Sequence, residues 1–498
     1  MTAQTWLIIA LVIYFAAMLA IGVYAATKTK DHEVYMLGGR NLPPAVAALS
    51  AGASDMSGWL VMGLPGAIYA AGLVEAWIAI GLTIGAYLNW KFVAPRLRAY
   101  TEVSRNSITI PSFFENRLRD RSRLLRIVSA VIILVFFTLY ISSGMVAGGV
   151  FFEATFGGSY LAGMLIVGGV TLAYTLFGGF LGASLTDMVQ GLMILAAALI
   201  VPVLAIVALG GFGAVGDAVS AEHLSLLGGE DLTGVTVIAI VSSLAWGLGY
   251  FGQPHIIVRF MALRSAAEAR TARWIGMGWM ILSLLGVVIA GFVGIAYFRG
   301  DELDNPETVL LEMAQALMHP FVAGLVLSAV LAAIMSTISS QLVVTSSALV
   351  EDIAKVVLKR EPSQKRLVLF GRLCVLVVAV VAILLALDPE SSILELVGFA
   401  WAGFGAAFGP IILLMLFWRR LSATGALAGM IVGAVTVFVW PLLGTGLYEI
   451  VPGFALNLLV AWAVSSATYR RDDEIADEFS RTEAIVVPGS AAGASSAS

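Results

Sequence analysis

Charge is scarce in this sequence of 498 residues, because only 12% are Asp, Glu, Lys or Arg, whereas soluble domains carry about 25%. Cysteine is nearly absent, and the single Cys374 excludes an intramolecular disulfide and cysteine-based metal clusters. The four histidines lack zinc-binding spacing, and a net charge of −4 offers no basic field for nucleic acid. These deficits exclude an ordinary soluble enzyme, a disordered protein and a nucleic-acid-binding protein.

Apolar residues make up 60% of the sequence, and glycine is abundant with 52 residues. A transmembrane helix needs roughly 20 mostly apolar residues, and about thirteen segments qualify. The sequence therefore predicts an all-α polytopic membrane protein in a lipid bilayer. The predicted spans are Trp6–Ala26, Pro44–Ala70, Leu73–Val93, Ile127–Phe152, Tyr160–Phe180, Met188–Leu209, Val235–Ile257, Trp274–Phe298, Pro320–Leu349, Leu367–Leu387, Ile393–Trp418, Gly425–Leu443 and Pro452–Ser465.

The distribution of Lys and Arg predicts the orientation of these spans. Of the 28 basic residues, only Arg299 falls in the loops on one side of the predicted membrane. Because basic loops stay cytoplasmic, this bias predicts an outside N-terminus and a cytoplasmic C-terminus in the cell membrane. We expect one transmembrane domain over residues 1–468 and a short, disordered cytoplasmic tail over 469–498. Nothing in the sequence indicates an obligate protein partner.

Two spans are interrupted in the middle by glycine, proline and polar residues. The second span contains Ser54-Asp-Met-Ser-Gly58, and the seventh contains Gly247-Leu-Gly-Tyr-Phe-Gly-Gln-Pro254. Since they are five spans apart, they cross the membrane in opposite directions. Spans 2–6 and 7–11 then form two five-helix units of inverted topology. Paired interrupted spans of this kind mark the binding site of a transporter.

Asp55 lies in the middle of the interrupted second span. A carboxylate at the bilayer centre costs about 2.5–3.5 kcal/mol, and such residues mark ion pathways. A carboxylate beside unwound carbonyl groups suits Na⁺, although a proton site or a purely structural carboxylate would also explain it. On the ninth span, Ala333, Ser336 and Thr337 share one helical face and offer three oxygens, or merely pack helices together.

Four aromatic residues, Trp59, Tyr140, Trp246 and Tyr250, lie on the second, fourth and seventh spans. As a group they are suited to line a pocket for a small solute with an apolar body, although any one of them is equally explained by packing.

Asp187 and Arg40 lie near the predicted cytoplasmic ends of spans. Asp187 precedes the sixth span, where it would guide cations on their release path or cap the helix. Arg40 precedes the second span, where it would form a gate or simply obey the bias of basic residues toward the cytoplasm.

At these residues the sequence resembles the sodium/solute symporter family, over about residues 6–468. The similar segments are Leu37-Gly-Gly-Arg40, Leu49-Ser-Ala-Gly-Ala-Ser-Asp-Met-Ser-Gly-Trp59, Met62-Gly-Leu-Pro-Gly66, Trp246-Gly-Leu-Gly-Tyr-Phe-Gly-Gln-Pro-His255, Ala332–Thr337 and Ala400-Trp-Ala-Gly-Phe-Gly-Ala-Ala-Phe-Gly-Pro410. The sequence departs from the expected pattern at Ala45, where a bulkier aromatic is expected, and at Ser340, where cysteine is expected.

The resemblance implies a LeuT-type 5+5 inverted-repeat fold and uptake of L-proline coupled to Na⁺ by alternating access. It implies that Na⁺ is held by the carbonyls of Ala53 and Met56 with Ala333, Ser336 and Thr337, and that Asp55 is essential for Na⁺. It implies that the substrate is contacted by Ser57, Gly58, Trp59, Tyr140, Trp246, Tyr250 and Gln253. Arg40 and Asp187 are expected on the gate or ion path.

Two other functions stay open. The same fold could carry another small solute with Na⁺, or the chain could be a membrane receptor that binds proline without transporting it. An enzyme is not expected, because no nucleophile–base pair or metal cluster occurs among the intramembrane polar residues.

Overall fold

A computed structural model describes residues 2–28, 36–229, 233–354, 364–387 and 392–486. In these ranges the chain is helical, and its only recorded β-bridge joins Leu42 to Leu263. The first half contains α1 Ala3–Lys28, α2 Pro44–Asp55, α3 Trp59–Ala71, α4 Leu73–Val103, α5 Ile110–Leu118, α6 Leu124–Phe156, α7 Tyr160–Thr175, α8 Gly179–Ala208, α9 Phe212–Ala218 and α10 Ala221–Leu224.

The second half contains α11 Gly234–Phe251, α12 Pro254–Ala262, α13 Ala266–Tyr297, α14 Val309–Leu317, α15 Pro320–Val350, α16 Gln364–Leu385, α17 Ile393–Phe417, α18 Ala423–Leu443, α19 Ile450–Thr468 and α20 Asp473–Val486. Ten of the helices within the described ranges are long and apolar enough to cross a membrane. Three shorter apolar helices coincide with the second, fifth and tenth predicted spans. The multi-pass prediction is confirmed, whereas the count of thirteen stays a prediction.

The predicted interruption of the second span is a complete break between α2 and α3. α2 ends at Asp55, and Met56 leaves the helix with φ −82° and ψ 79°. The N–H of Ser57 then donates to the carbonyl of Asp55 at 3.0 Å rather than to the carbonyl four residues back. The break therefore frees backbone oxygens in the interior of the bundle, as the sequence indicated.

The interruption of the seventh span lies between α11 and α12. The last turns of α11, from Ala245 to Phe251, wind as a 3₁₀ helix, and Gln253 is extended before Pro254. Glycines let this segment approach its neighbours closely, because a Cβ at Gly249 would collide with the indole of Trp401 on α17. The two breaks occupy corresponding positions in the two five-helix units.

The two ends of the bundle differ in charge. One end carries Arg40, Arg119, Arg126 and Arg419, which contact loops and the helix α20, and we call it the basic end. The opposite end carries Glu302 and Glu307, and we call it the acidic end.

The tail does not match the prediction of disorder. Residues Asp473–Val486 form α20, which packs on the basic end with Phe479 buried. Residues 487–498 lie outside the described ranges. The amphipathic pattern of α20, with Phe479 and Thr482 on one face, explains why this part of the tail folds.

Candidate functional site

Oxygen atoms from α2 and α15 meet beside the break after Asp55. The Ser336 hydroxyl lies 2.8 Å from the carbonyl oxygen of Ala53 and 3.0 Å from that of Ala333. The Thr337 hydroxyl lies 3.3 Å from the same Ala333 oxygen. The structure therefore brings together four of the predicted ion-binding residues on two helices. Hydroxyl and carbonyl oxygens of this kind suit a small hard cation.

The carboxylate of Asp55 lies near this cluster in the chain but is directed at α11. Its Oδ2 accepts a hydrogen bond of 2.5 Å from the Tyr250 hydroxyl, while Oδ1 has no hydrogen-bond partner among the described residues. The residue is only 1% exposed. The structure thus links two predicted residues, Asp55 and Tyr250, which the sequence had assigned to the ion and to the substrate.

The backbone of the break is braced by two aromatic side chains. The Trp59 indole N–H donates to the Asp55 carbonyl at 3.0 Å, and the Tyr140 hydroxyl donates to the same oxygen at 3.3 Å. The Ser57 hydroxyl accepts from the backbone N–H of Trp59 at 3.4 Å. At Gly58 an added Cβ would lie 2.8 Å from the Ala147 Cβ, so the unwound segment packs directly on α6.

A group of aromatic rings fills the space between the two breaks. The Trp246 ring lies 6.2 Å from Trp59, 6.4 Å from Trp401 and 5.6 Å from Tyr448. The Trp401 indole donates to the Trp246 carbonyl at 2.7 Å. The Gln253 amide donates to the Trp401 carbonyl at 3.0 Å. The predicted substrate-contacting residues thus share one region.

Trp401 and Tyr448 were not predicted to belong to this site. Trp401 lies in the segment Ala400–Pro410, which carried part of the family resemblance, so a signal for it existed. Tyr448 lies outside the predicted spans, and its hydroxyl reaches the carbonyl of Gly398 at 2.6 Å. No local pattern indicated that contact.

Asp187 does not cap a helix, because it lies inside α8, and its Oδ2 accepts from three helices. The donors are Ser50 of α2 at 2.7 Å, Arg259 of α12 at 3.1 Å and Ser340 of α15 at 3.4 Å. Arg259 and Asp187 are both at most 1% exposed. The loop predicted just before the sixth span is absent. The backbone turns at Gly179, and α8 runs from there through Asp187 to Ala208.

Arg259 is the functional candidate that sequence analysis missed. Its position just beyond the seventh predicted span placed it among the loop residues of the basic end. Instead it lies on α12, every residue of which is buried, and it also donates to Ser50 at 3.1 Å and to Ser340 at 2.6 Å. The extended run Pro254–Ala262, apolar except for one His and one Arg, was the available signal.

Arg40 ties the chain before α2 to other elements at the basic end. Its guanidinium donates to Asn106 at 2.9 Å, to the Thr101 hydroxyl at 3.1 Å and to the carbonyls of Met261 at 3.0 Å and Ser107 at 2.5 Å. These acceptors lie at the end of α4, in the following loop and on α12. Arg40 therefore holds together three segments that close the bundle.

Glu307 closes the acidic end in a corresponding way. Its carboxylate accepts from the N–H groups of Ile393 at 3.1 Å and Leu394 at 3.3 Å, in the first turn of α17. Burial raises the pKa of Glu307, while the N–H bonds act in the opposite direction. A Cβ at Gly66 would lie 2.8 Å from the Glu307 Cα, so the same turn packs on α3. Both ends are thus held by buried polar contacts, and the predicted site residues between them are buried.

Comparisons with known proteins agree with this architecture. The sequence model of the sodium:solute symporter family matches residues 35–433. The osmoregulated proline transporter OpuE of Bacillus subtilis is 54% identical over 470 residues, which cover 93% of this chain and 95% of that protein. The sodium/proline symporter of Escherichia coli is 51% identical over 461 residues, 91% of each chain.

Solved structures show the same fold. A Na⁺-coupled sialic acid symporter in a substrate-bound outward-open state superposes with a TM-score of 0.80 at 20% identity, covering 94% of this chain and 99% of that one. The nucleobase-cation-symport-1 family transporter Mhp1 superposes with a TM-score of 0.55 at 17% identity, covering 90% and 98%. The predicted LeuT-type inverted-repeat fold is confirmed. The prediction that the chain is not an enzyme is confirmed as well, because the matched family and these relatives are transporters. The chain belongs to the sodium:solute symporter family.

Proposed function

We propose that this protein carries L-proline across the cell membrane together with Na⁺, by alternating access. The observation that carries the proposal is the pair of neighbouring sites at the break. An oxygen cluster from Ala53, Ala333, Ser336 and Thr337 lies beside the break that follows Asp55, whose carboxylate accepts a hydrogen bond from Tyr250 in the aromatic region. The relatives named as proline transporters and symporters support the choice of solute.

In this proposal Na⁺ enters between α2 and α15, where it replaces the hydrogen bonds between the Ser336 hydroxyl and the carbonyls of Ala53 and Ala333. Met56 adds its carbonyl, and Asp55 supplies the negative charge. Proline then lies between Trp59, Tyr140, Trp246 and Tyr250, with Ser57, Gly58 and Gln253 lining the same space. Coupling follows because each ligand stabilises the arrangement that the other binds, by the same factor.

Arg40 and Asp187 act in this scheme on the basic end of the path. We propose that this end is cytoplasmic and that the N-terminus lies outside, because nearly all Lys and Arg fall there in the sequence. Release of Na⁺ and proline then requires the contacts of Arg40 with α12 and the pair Asp187–Arg259 to separate. Labelling of a cysteine introduced at position 2 or 472, with an impermeant reagent on intact cells, tests this orientation. Labelling at 472 alone would refute it.

The transport proposal is tested with purified protein in vesicles. An inward Na⁺ gradient is expected to drive accumulation of radiolabelled L-proline above equilibrium, and an equal K⁺ gradient is not. The Asp55→Asn variant in the same vesicles serves as the inactive control. Sodium-dependent uptake of a different amino acid or sugar, but not of proline, would favour the first alternative. Proline binding without accumulation would favour a receptor.

A further inference from the structure

A second cavity lies at the basic end, away from the transport site. It measures about 660 Å³, within the range of small-molecule sites, and lies where α17, α18 and α19 reach the basic end. We call it the arginine cavity because six arginines line it. They are Arg119, Arg121, Arg419, Arg420, Arg470 and Arg471.

Three of these guanidinium groups are already neutralised by acids. Arg119 pairs with Glu478 at 2.7 Å, Arg419 with Glu483 at 2.7 Å, and Arg471 with Asp473 at 2.9 Å. The acids all belong to α20, which forms one wall of the cavity. The tail helix therefore supplies part of the counter-charge.

The other three guanidinium groups lack such an acid. For Arg121, Arg420 and Arg470, no carboxylate of the described residues lies within ion-pair distance, and all three side chains are exposed. Asp472 is the single acidic residue that lines the cavity. An unneutralised group of arginines around one concave space favours an anion with several oxygens.

The wall of the cavity also contains the N-terminus of α18. Ala423 and Thr424 line it, while the Ser422 hydroxyl caps the helix by accepting from the Gly425 N–H at 3.0 Å. The positive end of the helix dipole adds to the arginine charge, in the geometry suited to phosphate. The helix end is a secondary contribution, since the unpaired arginines carry most of the charge.

The position of the cavity relative to the bilayer favours a lipid headgroup as the phosphate group that it would bind. Beyond it α18 and α19 carry exposed apolar residues, among them Val435 and Leu459. Trp462 is 56% exposed, and Tyr469, about 10 Å further along, lines the cavity. Exposed Trp and Tyr mark the headgroup level of a membrane. This places the arginine cavity at the level expected for lipid headgroups.

We propose that the arginine cavity binds the phosphate headgroup of an anionic phospholipid, with the acyl chains lying along α18 and α19. The lipid would join α20 to the start of α18 and to the segment 419–421 before it, because residues of all three line the cavity. The arginine cavity shares no residue with the proposed Na⁺ and proline sites, so its test does not depend on the transport proposal.

The test is native mass spectrometry of the full-length protein released from nanodiscs that contain phosphatidylcholine and phosphatidylglycerol. Wild type is expected to retain phosphatidylglycerol and to melt at a higher temperature as its fraction rises. The double variant R420Q/R470Q is expected to bind it about 25-fold more weakly, at about a factor of five for each lost charge. The double variant R105Q/R264Q, with two exposed arginines of the basic end outside the cavity, is the matched control.

Two results would overturn the proposal. Equal loss of phosphatidylglycerol in both double variants would show a general attraction to the basic end rather than a site. Binding of soluble pyrophosphate that displaces the lipid fully, with the same dependence on Arg420 and Arg470, would show that the cavity takes a free phosphate compound instead. Both double variants alter exposed side chains, so their melting temperatures in phosphatidylcholine alone are expected to match wild type.

Discussion

Two carboxylates buried inside the helix bundle have opposite surroundings. Asp187 faces the guanidinium of Arg259 at 3.1 Å, with two serine hydroxyls on the same oxygen. Asp55 has only the neutral Tyr250 hydroxyl on one oxygen and no partner among the described residues on the other. The carboxylate of Asp187 is therefore balanced by a cationic side chain, whereas that of Asp55, in the proposed function, is balanced by Na⁺.

The difference shows how one protein uses the same residue type for two purposes. A buried charge without its partner is costly, so a pair of buried opposite charges holds together the helices that carry it while the pair is formed. A buried charge whose partner is mobile is stable only while that partner is bound, which makes the arrangement of the helices depend on the ion. Loss of the carboxylate should thus damage binding at one position and folding at the other.

Asp55→Asn is expected to have the largest effect on transport. The amide retains the shape and can still accept from Tyr250, but it removes the charge that attracts Na⁺. Sodium-driven proline uptake should fall at least about 100-fold, as expected for the loss of a charged interaction. Initial uptake rates in vesicles check this. Near-normal sodium affinity in this variant would refute the assignment of Asp55 to the ion.

Asp187→Asn is expected to have the largest effect on stability. Arg259 would keep its buried charge without a counter-ion, at a cost of about 3–5 kcal/mol. The melting temperature in detergent should fall in Asp187→Asn but not in Asp55→Asn. The double variant Asp187→Asn/Arg259→Gln is expected to recover part of the loss, because it removes the uncompensated charge. Equal destabilisation by Asp55→Asn and Asp187→Asn would erase the distinction between the two sites.

Ser336→Ala sharpens the comparison at the oxygen cluster. Removal of the hydroxyl proposed as an ion ligand should weaken the apparent affinity for Na⁺ about 10-fold, while proline affinity at saturating Na⁺ changes little. Thr337→Ala should act in the same direction. Ser328→Ala is the matched control, because Ser328 is buried on the same helix, and among the described residues its hydroxyl bonds only the Gly324 carbonyl one turn earlier. Equal losses for Na⁺ and proline would indicate packing damage instead.

Glu307→Ala is expected to have the smallest effect. It removes the carboxylate that caps the first turn of α17, which should cost about 1 kcal/mol of stability and loosen the acidic end. Hydrogen exchange at Ile393 and Leu394 should rise, because their N–H groups lose an acceptor. Glu302→Ala, at an exposed residue of the same end, should leave exchange unchanged. Hydrogen exchange of Ile393 and Leu394 as slow in Glu307→Ala as in wild type would rule out the capping role of Glu307.

Sequence analysis predicted those features that depend on composition and local pattern. The interruption at Ser54–Gly58, the oxygen face of Ala333, Ser336 and Thr337, and the aromatic group all follow from residue types and spacing, and the structure brings each set together. Whether these residues bind Na⁺ and proline stays a prediction.

Contacts between distant segments were not predictable in the same way. The pairing of Asp187 with Arg259 joins residues 72 positions apart, and it required knowledge of how α8 and α12 pack. Arg259 read as a loop residue because a single basic residue after an apolar run usually marks the membrane surface. The helix α20 was missed because the prediction of disorder rested on the average composition of the whole tail. The helix is stabilised by packing of its amphipathic face against the basic end, which composition does not reveal.

The docking of α20 has a consequence for the order in which the protein assembles. Arg119, which follows α5, finds its partner Glu478 only 359 residues later. Close by, the Arg117 guanidinium is fully buried, and rings of Tyr100 and Phe479 lie over it at 5.1 and 5.9 Å. Because synthesis proceeds from the N-terminus, these arginines are made long before Glu478 and Phe479, their partners on α20. Closure of the basic end is thus a late event of biogenesis, and premature termination would leave a membrane bundle with an uncovered cationic surface.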